Sequence, residues 1–199
     1  MSPASFADTC VGAQAALCEH ARVSGELLIV TGPPGAGKST VATGLSELRS
    51  PSVLIEGDEF FRFLRAGRIE PWLLESDRQN EVVTDSAGAA TGRFVIAGYW
   101  TVYDGVIGPW FLPRFVEAAR LERVHYVVLL PRADTCVERV AHRIGHGFTD
   151  EAATRHMHSQ FERADLPGRH VVRDSTAKPA DVIDEIAELV ASGRLTYPG

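Results

Sequence analysis

The residues with the clearest potential for chemistry lie in a glycine-rich stretch at positions 32–39. The stretch reads GPPGAGKS and follows an apolar run at positions 27–30. Glycines in such a loop let backbone N–H groups turn inward and surround the oxygens of a phosphate. A helix that begins directly after the loop points its free N–H groups and its positive end at the same anion. The stretch therefore predicts a binding site for the phosphates of a nucleoside triphosphate.

The same stretch fills every fixed position of the pattern G-x-x-x-x-G-K-[ST]. We expect Lys38 to contact the β- and γ-phosphates of ATP, and the hydroxyl of Ser39 to bind Mg²⁺. Lysine is rare in this chain, since the only other one is Lys178, so Lys38 does not reflect a lysine-rich composition. The predicted nucleotide-binding residues of the loop are Gly32, Pro33, Pro34, Gly35, Ala36, Gly37, Lys38, Ser39 and Thr40.

Two aspartates follow predicted strands and extend this site. Asp58 comes after VLIEG, and Asp104 comes after YWTVY. Ligands of open α/β sheets bind outside the carboxyl ends of the strands, so both acids are expected to face the loop that holds Lys38. We predict that Asp58 is the general base toward an acceptor hydroxyl and that Asp104 acts on Mg²⁺, although the two roles could be exchanged or shared. A helix-capping or turn role is the alternative for each.

Two arginines precede a glycine-rich segment and predict a short lid at about residues 139–150. Arg139 and Arg143 are four residues apart and therefore share one face of a helix. Guanidinium groups stabilise the charge on a transferring phosphoryl group, and Arg139 could also stack on the nucleotide base. A solvated helix face is the alternative. The histidines near this segment form no metal-ligand pattern and are expected to lie mostly on the surface; they are His142, His146, His156 and His158.

An acceptor-binding region is predicted at about residues 58–80, where aromatic residues alternate with arginines. Trp100 on one side of Asp104 and residues 110–111 on the other could supply aromatic walls for an organic acceptor. Core packing is an equally good interpretation of each of these aromatic residues.

Strands alternate with helices along the chain, which predicts a doubly wound α/β domain with a parallel sheet. The predicted strands are residues 27–31, 52–55, 99–103, 125–130 and 170–173. The predicted helices are residues 5–22, 39–48, 59–64, 77–97, 112–122, 133–143, 150–163 and 179–191. We divide the chain into an N-terminal helical extension at residues 1–24 and a domain at residues 25–199.

Composition limits the class of protein. The 199 residues carry a formal net charge of −6, which disfavours a nucleic-acid binder. Three cysteines without a C-x-x-C spacing fit a reducing compartment. We find neither an apolar run of the roughly 18 to 20 residues that a membrane helix needs nor a signal peptide. We therefore expect a cytoplasmic protein with no membrane partner, whose oligomeric state, monomer or homodimer, stays open.

Taken together, these motifs resemble those of small P-loop kinases. The resemblance rests on the glycine-rich loop, on IEGDEF after the second strand, on VYDG after the third and on R-x-x-x-R before the glycines, and it covers roughly residues 26–192. The nearest groups are gluconate-kinase-like and chloramphenicol-phosphotransferase-like proteins, which are often described only as ATP-binding or AAA-family proteins. The resemblance implies the three-layer P-loop NTPase fold, with a five-stranded parallel sheet in the order 2-3-1-4-5 and a short lid. It also implies that the acceptor base falls on Asp58 and the lid arginines on Arg139 and Arg143.

The predicted function is transfer of the γ-phosphate of ATP, with Mg²⁺, to a hydroxyl of a small molecule, either a metabolite or an antibiotic. One alternative is a nucleoside or nucleotide kinase, in which Arg62, Arg65, Arg68 and Arg78 would bind the phosphate of the acceptor. A zeta-toxin-like sugar-nucleotide kinase is a further alternative. The non-enzymatic alternative is a nucleotide-dependent regulatory ATPase.

Overall fold

The computed structural model describes residues 25–142, 149–173 and 178–198. The predicted helix at residues 5–22, the extension at residues 1–24 and Arg143 therefore lie outside the described residues. Half of the predicted lid segment, residues 143–148, also lies outside them.

Five parallel strands form the centre of the fold in the order β2-β3-β1-β4-β5. They are β1 (Leu27–Thr31), β2 (Ser52–Glu56), β3 (Trp100–Asp104), β4 (Arg123–Leu129) and β5 (Val171–Val172). All residues of β1 and β3 are buried, because each of these strands has a neighbour on both edges and helices on both faces. This arrangement confirms the predicted strand order.

A sixth strand that the sequence analysis did not predict completes the sheet. It is β6 (Thr196–Pro198), which pairs antiparallel with the first residues of β4. Proline is tolerated there because the strand lies at the edge of the sheet. The five parallel strands are those that the sequence predicts, and β6 extends this sheet by one antiparallel strand.

Seven α-helices connect the strands within the described residues. They are α1 (Lys38–Glu47), α2 (Asp58–Arg62), α3 (Asp77–Ile96), α4 (Leu112–Ala119), α5 (Ala133–Ala141), α6 (Glu151–Arg163) and α7 (Pro179–Ala191). Short 3₁₀ turns lie at Leu74–Ser76 and Gly168–His170. The predicted boundaries agree to within three residues, and Asp150 caps α6 by accepting a hydrogen bond from the backbone N–H of Ala153 at 2.9 Å.

Two apolar layers enclose the sheet. Alternate residues of β1 point to opposite faces, so that Leu27 and Ile29 belong to one core and Leu28 and Val30 to the other. The first core is closed by α3 and α4, and the second by α1 and α7. The result is the three-layer α/β/α architecture that the sequence predicts.

Helices α3 and α4 cross closely at a glycine. A Cβ atom added to Gly92 would lie 2.0 Å from the carbonyl oxygen of Ala119, so any larger residue would collide with backbone. The glycines of α3 weaken its intrinsic helix propensity. At Gly92 the reason for this cost is the close approach of the neighbouring helix.

Among the described residues, none of the helices combines the length and the apolar character that a membrane span needs.

Candidate active site

The glycine-rich loop lies between β1 and α1, as its predicted role requires. Gly32, Gly35 and Gly37 have φ angles of 143°, 76° and 94°, a region that residues with a Cβ rarely adopt. Helix α5 packs directly on the loop, since a Cβ at Gly35 would lie 2.3 Å from the carbonyl oxygen of Cys136. The ammonium group of Lys38 donates a hydrogen bond to the carbonyl oxygen of Pro33 at 3.1 Å, which bends the side chain over the loop. Ser39 and Thr40 are exposed in the first turn of α1.

The two predicted aspartates lie at neighbouring strand ends. Asp104 is the last residue of β3, only 8% exposed, and its Cα pairs with those of Val30 on β1 and Glu56 on β2. Asp58 is exposed and is the first residue of α2. Both acids therefore lie at the carboxyl ends of the strands, which is also the end of the sheet where the phosphate loop begins.

Tyr103 directly precedes Asp104 on β3, and the sequence alone did not single it out. The residue is 3% exposed, and a Cβ at Gly57 would lie 2.3 Å from its hydroxyl oxygen. Burial and the negative charges of Asp58 and Asp104 hold the pKa of the Tyr103 phenol well above its usual value. The hydroxyl is therefore a protonated donor within the influence of both carboxylates. Its position directly before a strand-end acid is the signal that could have identified it.

A cavity of about 830 Å³ opens from this edge of the sheet. Its lining includes Lys38, Asp58 and Tyr103, so that the phosphate loop and the candidate base share one space. Further lining comes from α2, the segment that follows it, α3 and the loop after β3. That loop is held from two sides, because the backbone N–H of Ile107 donates to the hydroxyl of Thr31 and the hydroxyl of Tyr126 donates to the carbonyl of Ile107, both at 2.9 Å.

Arg139 reaches the phosphate loop from α5. Its Nη1 donates a hydrogen bond to the carbonyl oxygen of Gly35 with a separation of 3.4 Å. The same nitrogen would be 3.8 Å from a Cβ at Gly37. An exposed guanidinium group in this position can contact an anion held by the loop. Arg143, the second predicted arginine, lies outside the described residues.

Known proteins are similar to this arrangement in sequence and in structure. Residues 27–165 match the protein family described as AAA domain. The chain belongs to this family. The match confirms the resemblance to AAA-family P-loop proteins on which the sequence analysis relied. A comparison with curated protein sequences finds no match.

Several solved kinases share the fold at low sequence identity. An unliganded sugar kinase from Janibacter sp. HTCC2649 is 18% identical, with a TM-score of 0.66 over 84% of this chain and 95% of that one. The APS kinase of Mycobacterium tuberculosis, in complex with AMPPNP and APS, is 16% identical, with a TM-score of 0.64 over 84% of this chain and 98% of that one. A gluconokinase from Sinorhizobium meliloti 1021 is 21% identical, with a TM-score of 0.58 over 87% of this chain and 95% of that one. These proteins establish the P-loop kinase fold of the chain.

One face of α6 forms a wall of the cavity that the sequence analysis did not predict. His156, Met157 and Gln160 line the cavity from this helix. The guanidinium of Arg155 links α6 to α5 through Asp134, with 2.9 Å between Nη1 and Oδ1. The spacing of the three residues is compatible with one helix face, but nothing in the sequence shows which cavity that face meets.

One of the histidines that were expected to lie mostly on the surface is buried. His158 is 5% exposed, and its Nε2 lies 2.8 Å from the carbonyl oxygen of Pro131. His142 and His156 are exposed, and His146 lies outside the described residues. No group of metal-binding His, Cys, Asp or Glu residues occurs in the described part of the chain.

The aromatic walls expected around Asp104 are present only in part. Trp110 and Phe111 line the cavity. Trp100 does not, because it is the first residue of β3 and Asp104 is the last. The Trp100 indole donates to the carbonyl of Leu45 at 2.9 Å, and the guanidinium of Arg49 lies 4.1 Å from the ring centre. Trp100 therefore packs at the amino-terminal end of β3, away from Asp104.

The oxygen atoms of Ser39 and Asp104, near the carboxyl ends of the strands, are suited to Mg²⁺. This ion prefers oxygen ligands and is usually bound through one or two carboxylates together with phosphates of the substrate. The Ser39 hydroxyl and the Asp104 carboxylate belong to elements flanking the phosphate loop, and the strands β1 and β3 are paired at Val30 and Asp104. These residues could hold the ion beside the phosphates.

Proposed function

We propose that the protein is a phosphotransferase that moves the γ-phosphate of ATP, with Mg²⁺, to a hydroxyl of a small molecule. The observation that carries this proposal is the continuity of the cavity. Lys38 of the phosphate loop and the carboxylate of Asp58 line the same space as an aromatic wall able to hold an organic acceptor. The low-identity kinases that share the fold are consistent with this proposal.

The chemistry assigns a role to each element of the site. The backbone N–H groups of the loop and Lys38 would hold the triphosphate, with Arg139 next to it. The acceptor oxygen would form a bond to the γ-phosphorus while the bond from that phosphorus to the β–γ bridging oxygen breaks, and the leaving ADP takes that electron pair. Asp58 would accept the proton of the acceptor hydroxyl. Mg²⁺, held by Ser39 and Asp104, would neutralise charge on the phosphates.

The arginines that would bind an acceptor phosphate give little support to the nucleotide-kinase alternative. Arg62 is ion-paired with Glu59, Arg68 with Glu70 at 3.7 Å, and Arg78 with Glu81 at 3.0 Å. Of the four arginines in that hypothesis, only Arg62 and Arg68 line the cavity. Exposed ion pairs are weak and can rearrange. An acceptor phosphate would nevertheless have to compete with a carboxylate at each of these two positions.

The test is to measure ATP turnover alone and with panels of hydroxylated acceptors, and to identify the product by mass spectrometry. A kinase should hydrolyse ATP slowly until its acceptor arrives, because the acceptor completes the site. A phosphorylated acceptor, together with accelerated ADP formation, is the expected result. Fast ATP hydrolysis that no acceptor changes, combined with a nucleotide-dependent protein partner, would instead favour the regulatory ATPase.

A further inference from the structure

Tyr103 brings a polar group to the acceptor cavity that the roles proposed above do not use. The residue is 3% exposed and lines the cavity together with Asp58 and Lys38. Its hydroxyl makes no hydrogen bond in the described part of the chain, yet it keeps accessible surface. Buried polar groups are normally paired, because leaving one without a partner is costly. A nearly buried hydroxyl that still reaches a cavity is therefore a candidate contact for a molecule bound there.

Packing fixes the position of this hydroxyl. The Tyr103 ring meets the buried ring of Phe115 edge to face, with 4.7 Å between the ring centres. Two glycines leave room for the rest of the phenol. An added Cβ would lie 2.3 Å from the hydroxyl oxygen at Gly57 and 2.7 Å from Cε1 at Gly105. The phenol is thus held between a buried aromatic ring and backbone, and its hydroxyl stays beside Gly57.

The candidate base is the next residue after the glycine that this hydroxyl contacts. Asp58 follows Gly57, and the backbone N–H of Gly57 donates to the carbonyl oxygen of Asp104, which holds the segment against β3. Within the described structure, no hydrogen bond joins the Tyr103 hydroxyl to the Asp58 carboxylate. A donor and a proton acceptor therefore line the same cavity close to each other without satisfying each other.

We propose that one hydroxyl of the acceptor bridges these two groups, accepting a hydrogen bond from the hydroxyl of Tyr103 and giving its proton to Asp58. The inference rests on the proposed function, because it concerns the nucleophile of that reaction. A phenol keeps its proton at neutral pH and can therefore donate. Tyr103 is then a second residue, besides Asp58, in direct contact with the reacting oxygen.

The bridge leaves one direction at the acceptor oxygen free for the reaction. A hydroxyl has one proton and two lone pairs. With the proton directed to Asp58 and one lone pair to Tyr103, the second lone pair can form the bond to the γ-phosphorus. The O–H bond breaks as Asp58 takes the proton, ADP leaves with the electrons of the broken phosphorus–oxygen bond, and Tyr103 keeps its own proton throughout. Phosphoryl transfer depends mainly on positioning of this kind.

Hydrolysis of ATP tests the proposal without a known acceptor, because water can take the position of the acceptor hydroxyl. Tyr103→Phe keeps the ring and removes only the hydroxyl. We expect kcat for the release of radiolabelled γ-phosphate to fall roughly ten- to hundredfold, while KM for ATP stays within about twofold, since Tyr103 is assigned to the nucleophile and not to the nucleotide. A kcat within about twofold of that of the unmodified protein would overturn the proposal.

Two controls separate contact with the nucleophile from a structural role. Tyr99→Phe removes a phenol hydroxyl just before β3, at the end of that strand away from the phosphate loop, and should leave hydrolysis unchanged. Tyr103→Phe should not lower the free energy of unfolding in urea, because the hydroxyl has no partner among the described residues. An equal loss of hydrolysis in Tyr99→Phe, or a loss in Tyr103→Phe that accompanies a loss of stability, would indicate a structural role and contradict the proposal.

A double-mutant cycle tests whether Tyr103 and Asp58 act on one oxygen. Hydrolysis is measured for Tyr103→Phe, for Asp58→Asn and for the variant that combines them. If both groups hold the same oxygen, the combined variant should lose less than the product of the two single losses, because either substitution alone already misplaces the nucleophile. Losses that simply multiply would mean that the two residues act independently, and the bridge would be wrong.

A crystal structure with AMPPNP and Mg²⁺ provides a readout that does not depend on turnover. We expect an ordered water oxygen within about 3.2 Å of both the Tyr103 hydroxyl and the Asp58 carboxylate. A Tyr103 hydroxyl without such a shared oxygen would overturn the proposal.

The inference and the proposed function fail separately. Hydrolysis that depends on Tyr103, with no phosphorylated product from any acceptor panel, would support the assignment of Tyr103 to the nucleophile and contradict transfer to a small molecule. A phosphorylated acceptor that Tyr103→Phe forms as fast as the unmodified protein would support the proposed function and overturn the inference.

Discussion

The backbone N–H of Gly57 donates a hydrogen bond to the carbonyl oxygen of Asp104, with 2.7 Å between nitrogen and oxygen. This bond joins the end of β2 to the end of β3. It places Asp58, the next residue after Gly57, beside the strand that ends in Asp104. The two candidate acids are therefore held by backbone contacts, although one is exposed and the other is 8% exposed.

This arrangement predicts different effects for the two acids. Asp58→Asn should lower turnover by about 10²- to 10⁴-fold, the usual contribution of a general base, with little change in the affinity for Mg·ATP. Asp104→Asn should mainly weaken the binding of Mg·ATP, because the residue is assigned to the ion. Acceptor-dependent ADP release and nucleotide titrations with and without Mg²⁺ measure the two effects. The opposite pattern would exchange the roles.

The neighbouring carboxylate provides a matched control. Glu59→Gln removes the same charge one residue after Asp58, but Glu59 is ion-paired with Arg62 and does not line the cavity. Its turnover should remain close to that of the unmodified protein. A loss as large as that of Asp58→Asn would mean that the charge of the whole segment, rather than a base at Asp58, is needed.

Lys38→Ala should lower transfer by at least about 10²-fold, since removal of one preorganised donor from a developing negative charge has an effect of this size. The ammonium lies at the loop and its loss also removes the hydrogen bond to Pro33. Steady-state kinetics measures the loss. Arg123→Ala is the control. Arg123 is an exposed cation at the first position of β4, which is the end of the strand away from the phosphate loop. Unchanged transfer by Lys38→Ala would contradict its assignment to the phosphates.

Arg139→Ala separates two possible contributions of the guanidinium. If it stabilises the transferring phosphoryl group, kcat should fall by about 10²- to 10³-fold. If it only binds the nucleotide, KM for ATP should rise and kcat should stay nearly constant. We expect the first result, because Nη1 contacts the carbonyl of Gly35 in the phosphate loop. Arg163→Ala is the control, since Arg163 is exposed and donates to Ser159 of its own helix.

Gly92→Ala should destabilise the fold by about 1–3 kcal/mol, the usual cost of overpacking, even though alanine favours helices. The added methyl group meets the carbonyl oxygen of Ala119 at 2.0 Å, and backbone cannot move away easily. Gly44→Ala is a helical control in which the added atom meets the terminal Cδ1 of Ile183, which can change rotamer. Urea unfolding of both variants checks the prediction, and equal stability of the two would contradict it.

Stability should decrease as the pH falls below about 6.5, the pKa of an unperturbed histidine. Burial lowers the pKa of His170, which is 1% exposed, so the unfolded chain binds the proton first as the pH falls. Its Nδ1 lies 2.9 Å from the carbonyl oxygen of Tyr126. His170→Asn keeps a donor for this carbonyl but cannot be protonated, so its free energy of unfolding should depend less on pH between 7.5 and 5.5. Urea unfolding of the unmodified protein and of the variant at both pH values measures this.

Most of the fold could be predicted from the sequence, because the patterns that indicate strands, helices and the phosphate loop lie within short contiguous segments. The apolar run of β1, the alternation of strands and helices, and the glycines of the phosphate loop are each read from contiguous residues. The strand β6 was not predicted, since TYP is short, contains a proline and becomes a strand only by pairing with β4. Trp100 was expected beside Asp104 because the two residues are close in sequence. They are the first and last residues of β3, however, so they lie at opposite ends of that strand.

The sequence by itself determined the phosphate loop, since the backbone conformation that wraps a phosphate depends on glycines and a helix start that follow one another in the chain. It also determined that Asp58 and Asp104 would lie near strand ends. Only the tertiary structure decided which side chains share the acceptor cavity, because residues from Pro34 to Gln160 meet there through folding. It alone showed that Oδ1 of Asn80 is buried without a partner, since the satisfaction of a polar atom depends on what surrounds it in space and not on its neighbours in sequence.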